Sequence, residues 1–164
     1  MGTRRCYLDI ETAGTGFGSC QITVIGLGLE GPNGIEVIQL VGHHVTDLAL
    51  HRVLDEAGRV YTYNGTRFDL PVIRRGLGVD VAGRVPHHDL MYDCWRCGLK
   101  GGLKAVERRL GIERQTQGID GRMAMRLWWD YVLHDDHDAL HTLLLYNRED
   151  VTNLALLRTR LGVD

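Results

Sequence analysis

The segment Tyr7–Thr12, with the sequence YLDIET, decides how the fold is interpreted. Its apolar and acidic residues alternate, as in a β-strand whose successive side chains point to opposite faces. Leu8 and Ile10 are therefore predicted to share one face, and Asp9 and Glu11 the other. Two neighbouring carboxylates repel each other unless a cation lies between them. The pair alone is a weak signal, because two solvated acids at an exposed strand end give the same pattern.

A further acid, Asp69, follows a predicted strand and an Asn64-Gly65 turn, and Pro71 is typical of the first turn of a helix. An Asp at a helix start is commonly the N-cap. The same position also suits a metal ligand, because the helix N-terminus keeps the carboxylate ionised and fixed. Taken alone, this segment favours the cap.

The predicted last helix carries Tyr146 and Asp150, which are four positions apart and project from one face. Leu143 and Leu154 continue the same stripe, which is otherwise apolar. A carboxylate on such a stripe would be partly buried and would need a partner. A cation, an arginine or a backbone donor would each satisfy it.

The composition is that of an ordinary globular chain, and we expect one domain over residues 1–164. No apolar run approaches the roughly 18 residues that span a membrane, and the N-terminus lacks a signal region, so a cytoplasmic location is expected. The net charge of −2 argues against a large nonspecific nucleic-acid binder. A carboxylate site also lowers the net charge, while its bound cations reverse the local sign.

The order of predicted elements indicates an α/β fold, with a mixed sheet flanked by helices. Thr46 is the predicted N-cap of the first helix, which should run to Ala57. A short helix ending at Arg75 follows the fourth strand, and everything after Leu90 reads as helical. The predicted strands are Arg5–Glu11, Ile22–Leu29, Ile35–Val41, Val60–Tyr63 and Val85–Asp89.

Two patterns resemble known ligand sites but favour simpler roles. Gly26–Gly31 matches the GxGxxG dinucleotide fingerprint, yet a turn and another strand follow it in place of the required helix. Cys94 and Cys97 form one CxxC pair, with His87 and His88 as the nearest further zinc ligands. One such pair within a helical pattern favours packing over zinc.

Two other groups of residues are also predicted to be structural. The run His134–Asp138 resembles a metal cluster, but its acids stand where the next helix needs an N-cap. Trp95, Trp128 and Trp129 lie in helical patterns and are predicted to be core residues rather than stacking platforms.

Together, Asp9-x-Glu11, Asn64-x-x-x-Phe68-Asp69 and Tyr146-x-x-x-Asp150 resemble the three exonuclease motifs of the DEDD superfamily, in their order along the chain. The tyrosine points to the tyrosine branch, because the histidine branch would have His at position 145. A wider resemblance to the YprB-like subgroup of predicted exonucleases rests on six segments: Tyr7–Thr12, Tyr63–Gly65, Phe68–Pro71, His88–Leu90, Leu103–Glu107 and Asn147–Val151.

This resemblance implies a ribonuclease H-like fold whose five-stranded mixed sheet begins with three antiparallel strands. It also implies a 3′–5′ exonuclease that uses two Mg²⁺ or Mn²⁺ ions to release nucleoside monophosphates from single-stranded DNA or RNA. Asp9 would bridge both ions, Glu11 and Asp150 would complete the first site, and Asp69 would hold the second ion largely through water. Tyr146 would orient the attacking water.

Substrate contacts are expected around these motifs. The Gly14–Gly18 loop would let the backbone approach the terminal nucleotide, and Phe17 would stack on a base. A turn, or solvated surface, accounts equally well for several of these positions. The remaining candidates are Thr12, Asn64, Arg67, Phe68, Lys100 and Lys104.

Two other functions stay open at this point. A nucleic-acid or protein-binding module of the same fold would bind without turnover. A structure-selective endonuclease would cut closed circular substrate. The sequence does not separate DNA from RNA, and a partner protein that supplies substrate binding is compatible with it.

Overall fold

The computed structural model describes residues 2–14 and 20–164. This part of the chain contains no helix that combines the length and the hydropathy needed to cross a membrane. The elements, in chain order, are β1 Arg4–Ala13, β2 Gln21–Gly31, β3 Gly34–Val41, a 3₁₀ turn Gly42–His44, α1 Asp47–Leu54, β4 Ala57–Thr62, α2 Asp69–Leu77, α3 Val81–Arg84, β5 His87–Asp89, α4 Leu90–Arg96, α5 Leu103–Leu110, α6 Gly121–His134 and α7 His137–Leu161.

The strands form one five-stranded sheet in the order β3-β2-β1-β4-β5. The first three strands are antiparallel neighbours, whereas β4 runs parallel to β1 and β5 parallel to β4. The predicted α/β class, the mixed sheet and its antiparallel start are therefore confirmed. β1 is the central strand, with both edges paired.

The alternation of β1 places its side chains on two sides of the sheet, as predicted. Leu8 and Ile10 pack into a core that contains residues of α1 and α2. Tyr7 packs on the opposite side, in a core that contains residues of α4, α5 and α7. The face that carries Asp9 and Glu11 is therefore the one covered by the last helix.

The boundary between α1 and β4 differs from the prediction. Thr46 caps α1 by accepting the Ala49 N–H, as expected, but the helix ends at Leu54. Ala57 begins β4 because it pairs with Arg4 in the parallel ladder. Gly58, the next residue of β4, allows a close backbone approach, since a Cβ there would lie 2.9 Å from the Gly2 carbonyl oxygen.

The glycines of the GxGxxG pattern lie within β2 and make room for α7. A Cβ on Gly28 would lie 2.6 Å from Val151 Cγ1, and one on Gly26 would lie 2.8 Å from Val151 Cγ2. Both distances are shorter than any ordinary carbon contact. The pattern therefore serves helix packing, which brings α7 close to the centre of the sheet.

The tryptophan prediction is right for one residue and wrong for two. Trp128 is buried, whereas Trp95 and Trp129 are 39% and 41% exposed. Apolar residues surround much of α6, so the helical pattern did not show which side faces the core. Trp95 lies on the outer side of the short helix α4.

Candidate active site

Three carboxylates from opposite ends of the chain meet at one point. Oxygens of Asp9 and Glu11, from β1, and of Asp150, from α7, all lie within 4.8 Å of one another. In residues 2–14 and 20–164, no other group of His, Cys, Asp or Glu side chains is arranged closely enough to hold a metal ion. We call these three residues the acid cluster.

Asp69 lies beside the acid cluster and lines the same 440 Å³ pocket. Its Oδ1 accepts the backbone N–H of Ile10 at 3.1 Å. The N-cap of α2 is Phe68, and Asp69 is the first helical residue. The N-cap interpretation of Asp69 is therefore wrong, because its carboxylate is turned towards β1 and fastens α2 to the strand that carries two acids.

The pocket is electrostatically unfavourable for ionised carboxylates. Burial, followed by the charge of Asp150, raises the pKa of both Asp9 and Glu11 well above their usual range. Burial also raises the pKa of Asp69 to about 7. The pKa of Asp150 is raised by burial too, although Lys104 and Arg114 oppose the shift.

These carboxylates fit a divalent cation. Glu11 Oε1 is buried and has no hydrogen-bond partner among the described residues. Hard cations such as Mg²⁺ and Mn²⁺ take oxygen ligands, and a bound cation removes the repulsion between carboxylates. The donor set, its spacing and the unpartnered oxygen all match such an ion.

Two basic side chains adjoin the acid cluster. Lys104 Nζ lies 3.3 Å from Asp150 Oδ1 and 4.3 Å from the centroid of the Tyr146 ring. Arg114 pairs with Asp150 as well, and its Nε lies 2.5 Å from Glu107 Oε2. The sequence analysis left open whether a cation, an arginine or a backbone donor satisfies Asp150. Arg114 is such an arginine partner, and Asp150 also lies beside the other two acids.

Tyr146 lines the pocket and is 3% exposed. Burial, followed by the charge of Asp150, raises the pKa of its hydroxyl. The hydroxyl is therefore protonated at neutral pH and is available as a hydrogen-bond donor. A role as general base is disfavoured by the same shift.

Asn147 is a site residue for which no role was predicted. It is fully buried, and its Nδ2 donates to Asp9 Oδ2 at 3.1 Å. Its Oδ1 accepts from Gln39 Nε2 at 2.9 Å. Adjacent helical residues point in different directions, so the stripe through Tyr146 and Asp150 did not include it. The sequence did offer one signal, because Asn147 begins the segment Asn147–Val151 that resembles the exonuclease subgroup.

Asp89, at the end of β5, holds the turn that precedes α2. Its carboxylate accepts the N–H groups of Asn64 at 2.8 Å, Thr66 at 3.0 Å and Met91 at 3.1 Å. Asn64 has a φ of 62°, a left-handed conformation that Asn tolerates better than most residues. Asn64 thus has a turn role and also lines the pocket.

The other predicted substrate contacts divide into two groups. Thr12, Phe68 and Lys104 line the pocket. Arg67 and Lys100 are exposed and lie outside its lining. The Phe17 prediction falls outside the described residues, as does all of the Gly14–Gly18 loop except its first residue.

Two other patterns resembled metal sites, namely the CxxC pair with its neighbouring histidines and the run 134–138. In both, the residues have other surroundings. Cys94 is buried in the core and Cys97 is exposed. His88 Nε2 lies 2.6 Å from Asp93 Oδ2, and a ring nitrogen of His87 lies 2.9 Å from the Thr62 hydroxyl. In the run 134–138, Asp136 caps α7 by accepting the Ala139 N–H at 2.9 Å, which confirms the predicted cap.

Comparison with solved structures supports the implied fold. The family B DNA polymerase of the hyperthermophilic archaeon Pyrobaculum calidifontis is 18% identical, with a TM-score of 0.74 over 97% of this chain and 24% of the polymerase. A nuclease in its apo form is 22% identical, with a TM-score of 0.64 over 96% of this chain and 71% of that one. The chain thus spans about a quarter of the polymerase's length.

Sequence comparison assigns the family. No curated protein matches the chain. The family model of the RNase_H superfamily matches residues 6–162, which is nearly the whole chain. The ribonuclease H-like fold implied by the motifs is therefore confirmed, and the chain belongs to the RNase_H superfamily.

Proposed function

We propose that this chain is a metal-dependent 3′–5′ exonuclease that hydrolyses phosphodiester bonds at the end of a single-stranded DNA or RNA. The observation that carries the proposal is the meeting of Asp9, Glu11 and Asp150 in the pocket that Asp69 and Tyr146 also line. The superfamily and the two structural neighbours, a DNA polymerase and a nuclease, support this assignment.

The acid cluster and Asp69 would hold two Mg²⁺ or Mn²⁺ ions, which supply charge stabilisation for the attacking and leaving oxygens of a phosphodiester. Asp9, Glu11 and Asp150 would share an ion, because their carboxylate oxygens lie within 4.8 Å of one another. Asn147 holds the Asp9 carboxylate in place through its Nδ2 donor. Asp69 is held by the Ile10 N–H.

The other pocket residues position the strand and the water. The protonated Tyr146 hydroxyl orients the attacking water by a hydrogen bond. Lys104 presents its ammonium group to the scissile phosphate. Thr12, Asn64 and Phe68 contact the terminal nucleotide at the pocket wall.

The test is a nuclease assay on single strands of DNA and of RNA that carry a label at the 5′ end. We expect stepwise shortening from the 3′ end and release of nucleoside monophosphates, only when Mg²⁺ or Mn²⁺ is present. Asp9→Asn and Asp150→Asn should each lower the rate by at least about a hundredfold. Equal rates for the wild type and both variants would contradict the proposal.

A closed circular single strand separates exonuclease from endonuclease. It has no end, so an exonuclease leaves it intact. If the wild type converts the circle to a linear product and Asp9→Asn does not, the activity of this site is that of an endonuclease. Binding of both substrates without any cleavage would indicate a binding module.

A further inference from the structure

We propose that a basic and aromatic surface next to the pocket binds the nucleic-acid strand on the 5′ side of the terminal nucleotide. This surface, the α4 wall, consists of Arg67 from the turn before α2, Tyr92 and Trp95 from α4, and Lys100 from the loop after α4. The proposal rests on the proposed function, since it describes how the strand is led to that site.

The first argument is the separation of charge in the segments that form the α4 wall. Residues 62–69 and 89–104 contain three acids, Asp69, Asp89 and Asp93, and all three are buried. Three of their basic residues are exposed, namely Arg67, Arg96 and Lys100, and of these Arg96 pairs with Asp93. The surface is thus positive although the whole chain carries a net charge of −2. A polyanion is the partner that such a surface attracts.

The second argument is the aromatic side chain among these cations. Trp95 is 39% exposed although it is large and apolar. The Arg67 guanidinium lies 5.4 Å from the Trp95 ring centroid and 6.0 Å from that of Tyr92. The Tyr92 and Trp95 rings pack edge to face with centroids 5.5 Å apart. The exposed Trp95 ring, beside an arginine and the half-buried Tyr92, offers a platform for unpaired bases and phosphates.

Arg67 is held in place without a carboxylate partner. Its guanidinium contacts the Tyr92 and Trp95 rings, and no ion pair among residues 2–14 and 20–164 includes it. The two rings restrict its guanidinium, which lowers the entropy cost of ordering it on a phosphate. The arginine is therefore available to the backbone of a strand.

The third argument is continuity with the pocket. Arg67 belongs to the turn whose Tyr63, Asn64 and Phe68 line the pocket. The Tyr63 hydroxyl donates to the Gly101 carbonyl at 2.6 Å, which ties this turn to the loop that carries Lys100. If the terminal nucleotide of a strand lies in the pocket and the strand leaves past Arg67, it crosses the α4 wall.

The test is binding of a 5′-fluorescein oligothymidylate of about twelve nucleotides, measured by anisotropy in EDTA at low salt so that no hydrolysis occurs. Trp95→Ala and Arg67→Ala should each raise the Kd about tenfold, and Trp95→Phe should stay near the wild type. Arg67→Ala should also lower the salt slope of log K by about 0.7. The matched control is Trp129→Ala, because Trp129 is 41% exposed but lies on α6.

Wild-type Kd values in both Trp95→Ala and Arg67→Ala would overturn the proposal, as would an equal loss in Trp129→Ala. Thermal melting by circular dichroism must show that all variants are folded. A second measurement uses turnover: Trp95→Ala should raise KM for the long oligonucleotide and leave both kcat and the KM for a dinucleotide unchanged. An equal change for both substrates would contradict a role outside the pocket.

The outcomes also separate this inference from the exonuclease proposal. If the wild type hydrolyses nothing but loses oligonucleotide affinity in Trp95→Ala, the exonuclease proposal fails and the α4 wall stands. If the wild type hydrolyses strands and both Trp95→Ala and Arg67→Ala bind them normally, only the α4 wall fails.

Discussion

Asn147 Nδ2 lies 3.1 Å from Asp9 Oδ2, and this hydrogen bond joins the last helix to the central strand within the candidate metal site. Asn147 in turn accepts from Gln39 of β3. One buried amide, on α7, thus holds the Asp9 carboxylate of β1 and also contacts Gln39 of β3. The candidate site depends on α7 in two ways, because α7 carries Asp150, a proposed metal ligand, and Asn147, which holds the Asp9 carboxylate.

Replacing Asn147 by Leu should lower the affinity of the site for Mg²⁺ more than it lowers the stability of the fold. Leucine keeps the volume of the side chain but removes the donor to Asp9, and loss of such a support typically costs about 10- to 100-fold in metal affinity or activity. The measurement is the Mg²⁺ concentration that gives half-maximal nuclease activity. Asn153→Leu is the control, because Asn153 is buried on the same helix but bonds to Glu107. A wild-type metal requirement in Asn147→Leu would contradict the support role.

Gly26→Ala should destabilise the protein. The added methyl would overlap the Asn147 side chain and lie 2.8 Å from Val151 Cγ2, so α7 must move away from β2. Overpacking of this kind costs about 1–3 kcal/mol, and we expect activity to fall as well because Asp150 moves with the helix. Urea unfolding measures the first effect. Gly121→Ala serves as a control, since a Cβ there meets nothing within 4 Å.

The stability of the metal-free protein should fall as the pH rises. The pKa of Asp69 is raised from 3.8 to about 7, so the folded state holds a proton that the unfolded state has lost between these values. The native state therefore binds more protons in this window, and unfolding becomes easier up to about pH 7. The raised pKa values of Asp9 and Glu11 act in the same direction.

Melting temperatures in EDTA should therefore be higher near pH 5 than near pH 8. Asp69→Asn should flatten this dependence, since an amide still accepts the Ile10 N–H but does not titrate. Added Mg²⁺ or Mn²⁺ should raise the melting temperature more at the higher pH, because the ions bind ionised carboxylates. A melting temperature that increases with pH in EDTA would show that the carboxyl pKa values are not raised.

The buried pair of Glu107 and Arg114 should be strongly coupled. Glu107 is 1% exposed, and Arg114 donates to both of its carboxylate oxygens. Arg114→Gln leaves Glu107 as an uncompensated buried charge and should cost about 3–5 kcal/mol, whereas Glu107→Gln should cost less because Arg114 keeps its pair with Asp150. The double variant should lose clearly less than the sum of the two. Urea unfolding of all four proteins tests this, and additivity within about 0.5 kcal/mol would contradict the coupling.

Local periodicity predicted much of the fold and many of the pocket residues. The alternation of Leu8, Asp9 and Ile10 showed the two faces of β1, and the spacing of Tyr146 and Asp150 placed both on the buried side of α7. These features depend only on the repeat of a strand or a helix. The boundaries of α1 and β4 were less accurate, because a pairing partner outside the segment sets where β4 begins.

Contacts between distant segments could not be predicted in this way. Nothing near Asp69 indicates that its carboxylate accepts the Ile10 N–H, and nothing near Arg114 indicates that it reaches Asp150. The roles of both residues depend on the packing of separate elements. The exposure of Trp95 was missed for a related reason, because an apolar residue in a helical pattern looks the same whether the core or solvent lies beside it.

The parallel pairing of β1 with β4 and the docking of α7 across β1 mean that the candidate site is assembled from the beginning and the end of the matched sequence. A nascent chain that has emerged only as far as α6 lacks Tyr146, Asn147 and Asp150. Such a chain has no complete pocket in which to cut, even with Asp9 and Glu11 already in their strand. If the pocket hydrolyses nucleic acid as proposed, this activity therefore requires α7 to be docked on β1.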